Sequence, residues 1–154
     1  MKKMTIYVPE NFGWENRTNI LSIVTGISKN EAAKAIGSTP SSFLGRCRNG
    51  KFSLEERRII AGAFNGKLVM KIISDDGKIF NSDNYDNIKD MISDVRNYKK
   101  ISWADIAKNC GSYYEAFIQR LNIGKISDET IAEIANAMGC SFESDIELSN
   151  GSII

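Results

Sequence analysis

Residues 43–53 read FLGRCRNGKFS, and seventy-four positions later residues 117–127 read FIQRLNIGKIS. Phe, Arg, Gly, Lys and Ser fall at the same places in both. Near-repetition at a fixed spacing marks a duplicated structural unit. At a shift of 74, residues 27–80 align with residues 101–154 without a gap, and 18 of the 54 positions keep the same residue. Further upstream, NILSIV (19–24) matches DMISDV (90–95) only at a shift of 71. That implies about three extra residues near NYK in the second copy. The polar, turn-rich NSDNYDN (81–87) marks the boundary. Two domains are expected, 1–82 and 83–154.

The second copy shows the unit more cleanly. Ile88, Met91, Ile92 and Val95 recur at the spacing of one face of a first helix. Ser102 is placed to cap a second helix, with Asp105 completing a capping box and Ile106, Ala107 and Cys110 turned inward. Gly111 supplies a sharp turn. A third helix follows with Phe117 and Leu121 inward, closed by Gly124. Ser127 caps a fourth helix with Ile131, Ile134, Ala135 and Met138 inward, closed by Gly139. Beyond it, short apolar runs flank Asn150-Gly151, and Asp76-Gly77 is flanked likewise in the first copy. Both are hairpin signals. MTIYV near the N-terminus reads as a further strand. Phe43, Phe117, Trp14 and Trp103 read as packing residues, Trp103 half exposed. The expected fold is mainly α, with four to five helices per unit followed by a short β-hairpin.

Composition narrows the function classes. The 154-residue chain is 42% apolar and 25% charged, the balance of a globular protein. It has no apolar run of membrane-spanning length and no signal-peptide pattern, so a cytoplasmic protein is expected. It contains no histidine, the commonest general base and metal ligand. Cys47, Cys110 and Cys140 are unevenly spaced and form no C-x-x-C pair, so they read as small core fillers. With no acid/base or metal constellation, neither an enzyme nor a cofactor is expected.

A short helix, a glycine turn and a second short helix with a polar outer face are the sequence form of a helix-turn-helix. GSTPSSFLGRCRNGKFS in the first copy and ISWADIAKNCGSYYEAFIQRLNIGKISDETIAEIANAMGCSFE in the second resemble the lambda-repressor-like (Cro/XRE-type) helix-turn-helix family. The resemblance covers most of residues 17–72 and 88–146. It implies two tandem lambda-repressor-like units, double-stranded DNA as partner, and a transcriptional regulator, a repressor of phage or mobile-element type. The third helix would enter a major groove.

A net charge of +1 hides a split. Residues 1–80 carry 13 basic and 7 acidic side chains, and residues 81–154 carry 7 and 12. In the first copy Thr39, Ser41, Ser42, Gly45 and Arg46 form the expected front of the third helix. Arg48, Lys51, Arg57, Arg58, Lys29 and Lys34 lie around it as phosphate contacts. Two readings stand for Arg46 and its counterpart Arg120: a DNA contact, or an ion pair with a helix carboxylate such as Glu55 or Glu129. In the second copy the same surface reads Tyr113, Tyr114, Glu115, Gln119, Arg120, Asn122 and Lys125, which suits a protein partner or a weaker DNA surface. Members of the resembled family also serve as phage-encoded inhibitors of host defence nucleases, of anti-CRISPR type. In that alternative the acidic unit grips a protein and the first unit autoregulates. Hairpin edges leave a homodimer open.

Overall fold

The computed structural model describes residues 13–154. The strand expected at MTIYV lies outside the described residues. Four helices come first: α1 (Trp14–Thr25), α2 (Lys29–Ala35), α3 (Pro40–Asn49) and α4 (Leu54–Ala63). Strands β1 (Gly66–Ser74) and β2 (Ile79–Asn81) follow, then a 3-10 turn at Ser82–Asn84. The second set is α5 (Ile88–Lys99), α6 (Trp103–Asn109), α7 (Tyr114–Ile123) and α8 (Asp128–Ala137), followed by β3 (Cys140–Leu148). The strands form one sheet in the order β2-β1-β3, with β1 and β2 antiparallel and Ile72 opposite Phe80. The protein is therefore mainly helical with a small three-stranded sheet. No described helix is long and apolar enough to cross a membrane.

Every helix of the first set, and β1, begins and ends 74 residues before its counterpart in the second. This corrects the upstream alignment. The first helices also match at 74, and the second copy carries no extra residues there. The cause is chemical. The buried face of α5 is Ile88, Met91, Ile92 and Val95, whereas that of α1 is Trp14, Arg17, Thr18 and Leu21. Arg17 and Thr18 break the apolar stripe that would have shown the register. The Thr18 hydroxyl is accommodated by donating to the Trp14 carbonyl at 2.8 Å, and the Arg17 guanidinium lies 5.1 Å from the centre of the Trp14 ring.

The chain forms two compact units, residues 13–69 with 145–154, and Met70–Ser144. The boundary expected at residue 82 falls inside the second of these. Each helix set is thus closed by the hairpin that follows the other set in sequence. In the first unit, Ile146 and Ile154 exchange both backbone hydrogen bonds, at 2.7 and 2.9 Å, and the turn at Asn150-Gly151 closes with Leu148 N–H donating to Ser152 O at 2.8 Å. Ile146, Leu148 and Ile154 are buried. Gly66 lies so close to this hairpin that a Cβ there would stand 2.7 Å from Cγ2 of Ile146. In the second unit the β1–β2 turn rests on α5. Lys99 Nζ donates to Asp75 Oδ1 at 2.7 Å, Tyr98 OH donates to Asp76, and the Tyr98 and Phe80 rings meet edge to face at 5.5 Å.

The expected helix interiors are as read. Ile106, Ala107, Phe117, Leu121, Ile131, Ile134, Ala135 and Met138 are buried, as is Phe43. Phe43 and Trp14 both pack on Phe52, with centroids at 6.1 and 5.4 Å. Trp103 is half-buried, 6.2 Å from Phe117. Cys110 is the exception. It caps α6 at its C-terminus and is only partly buried.

Candidate functional site

In the first unit, α2 and α3 are joined by a turn at Gly37, whose φ of 70° is a left-handed conformation that glycine adopts without strain. Thr39 caps α3, its Oγ1 accepting from Ser42 N–H at 3.2 Å, and Pro40 presets the first turn. Phe43 and Cys47 turn inward and anchor the helix. Burial pushes the Cys47 thiol up from its ordinary pKa, so it stays protonated core filler. The opposite face carries Thr39, Ser41, Ser42, Gly45 and Arg48, all exposed, and Lys51 is exposed just beyond the helix. Lys34 is exposed on α2, while Lys29 is half-buried and donates to Asn19 Oδ1 at 2.6 Å.

Arg46 is differently engaged. Its two terminal nitrogens meet the two carboxylate oxygens of Glu56, each at 2.7 Å, and Nη2 also donates to the Lys51 carbonyl at 3.1 Å. The guanidinium carbon lies 4.8 Å from the centre of the Phe52 ring. The Glu56 hydrogen bond holds the guanidinium above its usual pKa. Glu56 is at the same time half of a capping box on α4. Oε1 accepts from Ser53 N–H at 3.0 Å, and Glu56 N–H donates to Ser53 Oγ at 3.1 Å. The carboxylate that meets Arg46 is thus Glu56 rather than Glu55, and Ser53-x-x-Glu56 is the sequence signature of its capping role.

Arg57 cannot serve as a phosphate contact, because it is fully buried. Its Nε donates to the Phe52 carbonyl at 3.1 Å, and its guanidinium lies 5.7 Å from the centre of the Trp14 ring. Its counterpart is Ile131, a plain core position. Arg58 is half-buried. Arg48 is exposed and donates to Glu15 at 3.2 Å, a screened surface pair.

In the second unit, α7 presents Tyr113, Tyr114, Glu115, Gln119, Arg120, Asn122 and, beyond Gly124, Lys125, all exposed. Tyr113 is 86% exposed and Ile123 62%. Asn122 accepts from Lys89 Nζ at 2.5 Å. Thr130 occupies the place of Glu56, and Arg120 donates to Ser112 Oγ at 2.6 Å.

The charge split shrinks when taken by compact unit. Over the described residues the first unit holds nine basic and six acidic side chains, net +3, and the second nine and twelve, net −3. Two of the first unit's cations, Arg17 and Arg57, are buried. Among the described residues no group of three Cys, Asp or Glu is placed to hold a metal ion. Comparisons of the chain with protein-family models, curated proteins and solved structures return no match.

Proposed function

We propose that the protein binds double-stranded DNA through α3 of the first unit and acts as a transcriptional regulator, a repressor of phage or mobile-element type. One observation carries the reading: α3 offers solvent a face of small and hydroxylic side chains, Thr39, Ser41, Ser42 and Gly45, bordered by Arg48, Lys51 and Lys34. Small side chains let a helix approach base edges, while the flanking cations neutralise phosphates. The back of the helix is held by Phe43, Cys47 and the Arg46–Glu56 pair, so the face is presented rigidly. Repression would follow from occlusion of a promoter.

The test is anisotropy of a labelled duplex titrated with the protein at about 50 and 200 mM salt, the range over which several phosphate contacts change affinity by orders of magnitude. Binding that weakens steeply with salt, and weakens further in Arg48→Ala with Lys51→Ala, supports the reading. No binding at the lower salt overturns it. A second reading, an inhibitor that grips a host nuclease in the anti-CRISPR manner, draws on the exposed Tyr113, Tyr114 and Ile123 and the net −3 of the second unit. Large aromatic side chains left in solvent are the usual anchors of protein interfaces.

A further inference from the structure

Arg46 and Arg120 stand at one position of the repeat, on α3 and α7, and their surroundings differ at two partners. On α3 the guanidinium is gripped by both oxygens of Glu56, bonded to the Lys51 carbonyl and stacked on Phe52. Its side chain retains 23% of its accessible surface. On α7 the carboxylate is replaced by Thr130, whose hydroxyl accepts from the Ser127 hydroxyl at 3.1 Å, and the ring is replaced by Ile126. Arg120 is exposed and, among the described residues, its hydrogen-bond partner is the neutral Ser112 hydroxyl. A neutral hydroxyl competes weakly with an incoming phosphate for a guanidinium, whereas a bidentate carboxylate competes strongly.

We infer that, of these two arginines, Arg120 of the second unit is the one available to a nucleic-acid phosphate, and that Arg46 is a positioning residue that holds the end of α3. The inference rests on the DNA reading and extends it to α7, the surface whose charge made it look unfit. Gln119 and Lys125 are exposed near Arg120 and are further donors to a backbone, while Glu115 in the first turn of α7 opposes it. Thr130 is the specific change that makes the difference. A carboxylate there would re-form the grip seen in the first unit.

The experiment is a reciprocal exchange, read as the slope of log affinity for a random-sequence duplex against log salt, with thermal unfolding recorded on each variant. One phosphate contact is worth a slope of about 0.9. Arg120→Ala and Thr130→Glu should each reduce the slope by about one contact. Thr130→Glu should do so with unchanged or raised stability, because it also completes the capping box of α8. Glu56→Thr should increase the slope by about one contact, as Arg46 is freed. Arg46→Ala should lower the melting temperature and leave the slope alone. The inference is overturned if Arg120→Ala and Thr130→Glu leave the slope unchanged, which would leave α7 to a protein partner, or if Arg46→Ala reduces it as much as Arg120→Ala. If the wild type binds no duplex, the DNA reading itself fails. If binding depends on Arg48 and Lys51 but not on Arg120, this inference alone fails.

Discussion

Gly66, at the start of β1, and Ile146, on β3, are eighty residues apart in sequence, yet the space for a single methyl group at Gly66 is already filled by the Ile146 side chain. Leu148 Cδ2 and the Glu147 carbonyl would stand 3.1 and 3.3 Å from the same added atom. Gly66→Ala should therefore force the hairpin away from the helices of its own unit. Overpacking of this kind costs about 1–3 kcal/mol. A urea midpoint lowered accordingly is the expected result. An unchanged midpoint would mean that the hairpin does not close on Gly66.

Removal of residues 145–154 should expose the helices of the unit those residues complete. Hydrogen exchange is expected to speed up in α1–α4 and to stay slow in α5–α8, whose own closing strands lie within Met70–Ser144. Loss of protection confined to α5–α8 would contradict the exchange of hairpins between the two helix sets.

Arg46→Ala removes the two guanidinium hydrogen bonds from the partly buried Glu56 carboxylate. Hydrogen bonds to charged groups are worth about 1.5–3 kcal/mol, and a loss in that range is expected from chemical denaturation. Glu56→Gln should cost less, because the amide oxygen still accepts from Arg46 and Ser53. Equal losses in the two variants would show that the charge on Glu56 is what matters.

Acid should weaken the β1–β2 turn. The hydrogen bond from Lys99 holds Asp75 below the usual carboxylate range, and the hydrogen bond from Tyr98 does the same for Asp76. Carboxyls with a depressed folded pKa contribute stability above their unfolded pKa, about 3.9, and that contribution fades as pH falls through the folded values. Both groups are exposed, so the effect is small. Asp75→Asn with Asp76→Asn should flatten the acid limb of the stability curve, and an unaltered limb would assign acid sensitivity elsewhere.

At the alkaline end, burial and then the hydrogen bond to Asp94 push Tyr85 up to about 12. A raised folded pKa stabilises the protein below the unfolded phenol value, about 10, and the stabilisation is lost as pH rises through the folded value. The hydrogen bond to Asp76 also raises Tyr98, so phenolate absorbance should show a late-titrating component that shrinks by one tyrosine in Tyr85→Phe.

The second helix set was legible almost residue by residue, because its core faces are unbroken runs of Ile, Met, Val, Leu and Ala. The same elements in the first set were partly hidden by Arg17, Thr18 and Arg57, which occupy core positions: Thr18 and Arg57 donate to backbone carbonyls, and the Arg17 guanidinium lies against the Trp14 ring. A periodicity search scores such residues as surface. The cap at Ser102 was also legible, its Oγ accepting from Asp105 N–H at 3.1 Å, though the structure shows that bond and not the full capping box expected with Asp105. At the candidate site, the hydroxylic face of α3 followed from helix phase alone. The engagement of Arg46 by Glu56 depends on how α3 and α4 cross, which spacing along one helix does not encode. The partnership of each hairpin was out of reach for a related reason. The two hairpins have similar patterns, and local turn chemistry says where a strand reverses but not which helices it will cover.

That partnership sets an order on synthesis. Chains commonly complete their N-terminal domain first as they leave the ribosome. Here residues 145–154, which close the first helix set, are made after every residue of Met70–Ser144. The second unit is fully specified while α1–α4 still lack their last strand. The unit made first is therefore the one that must wait, with the surface around Gly66 unsealed until translation has passed Ile154.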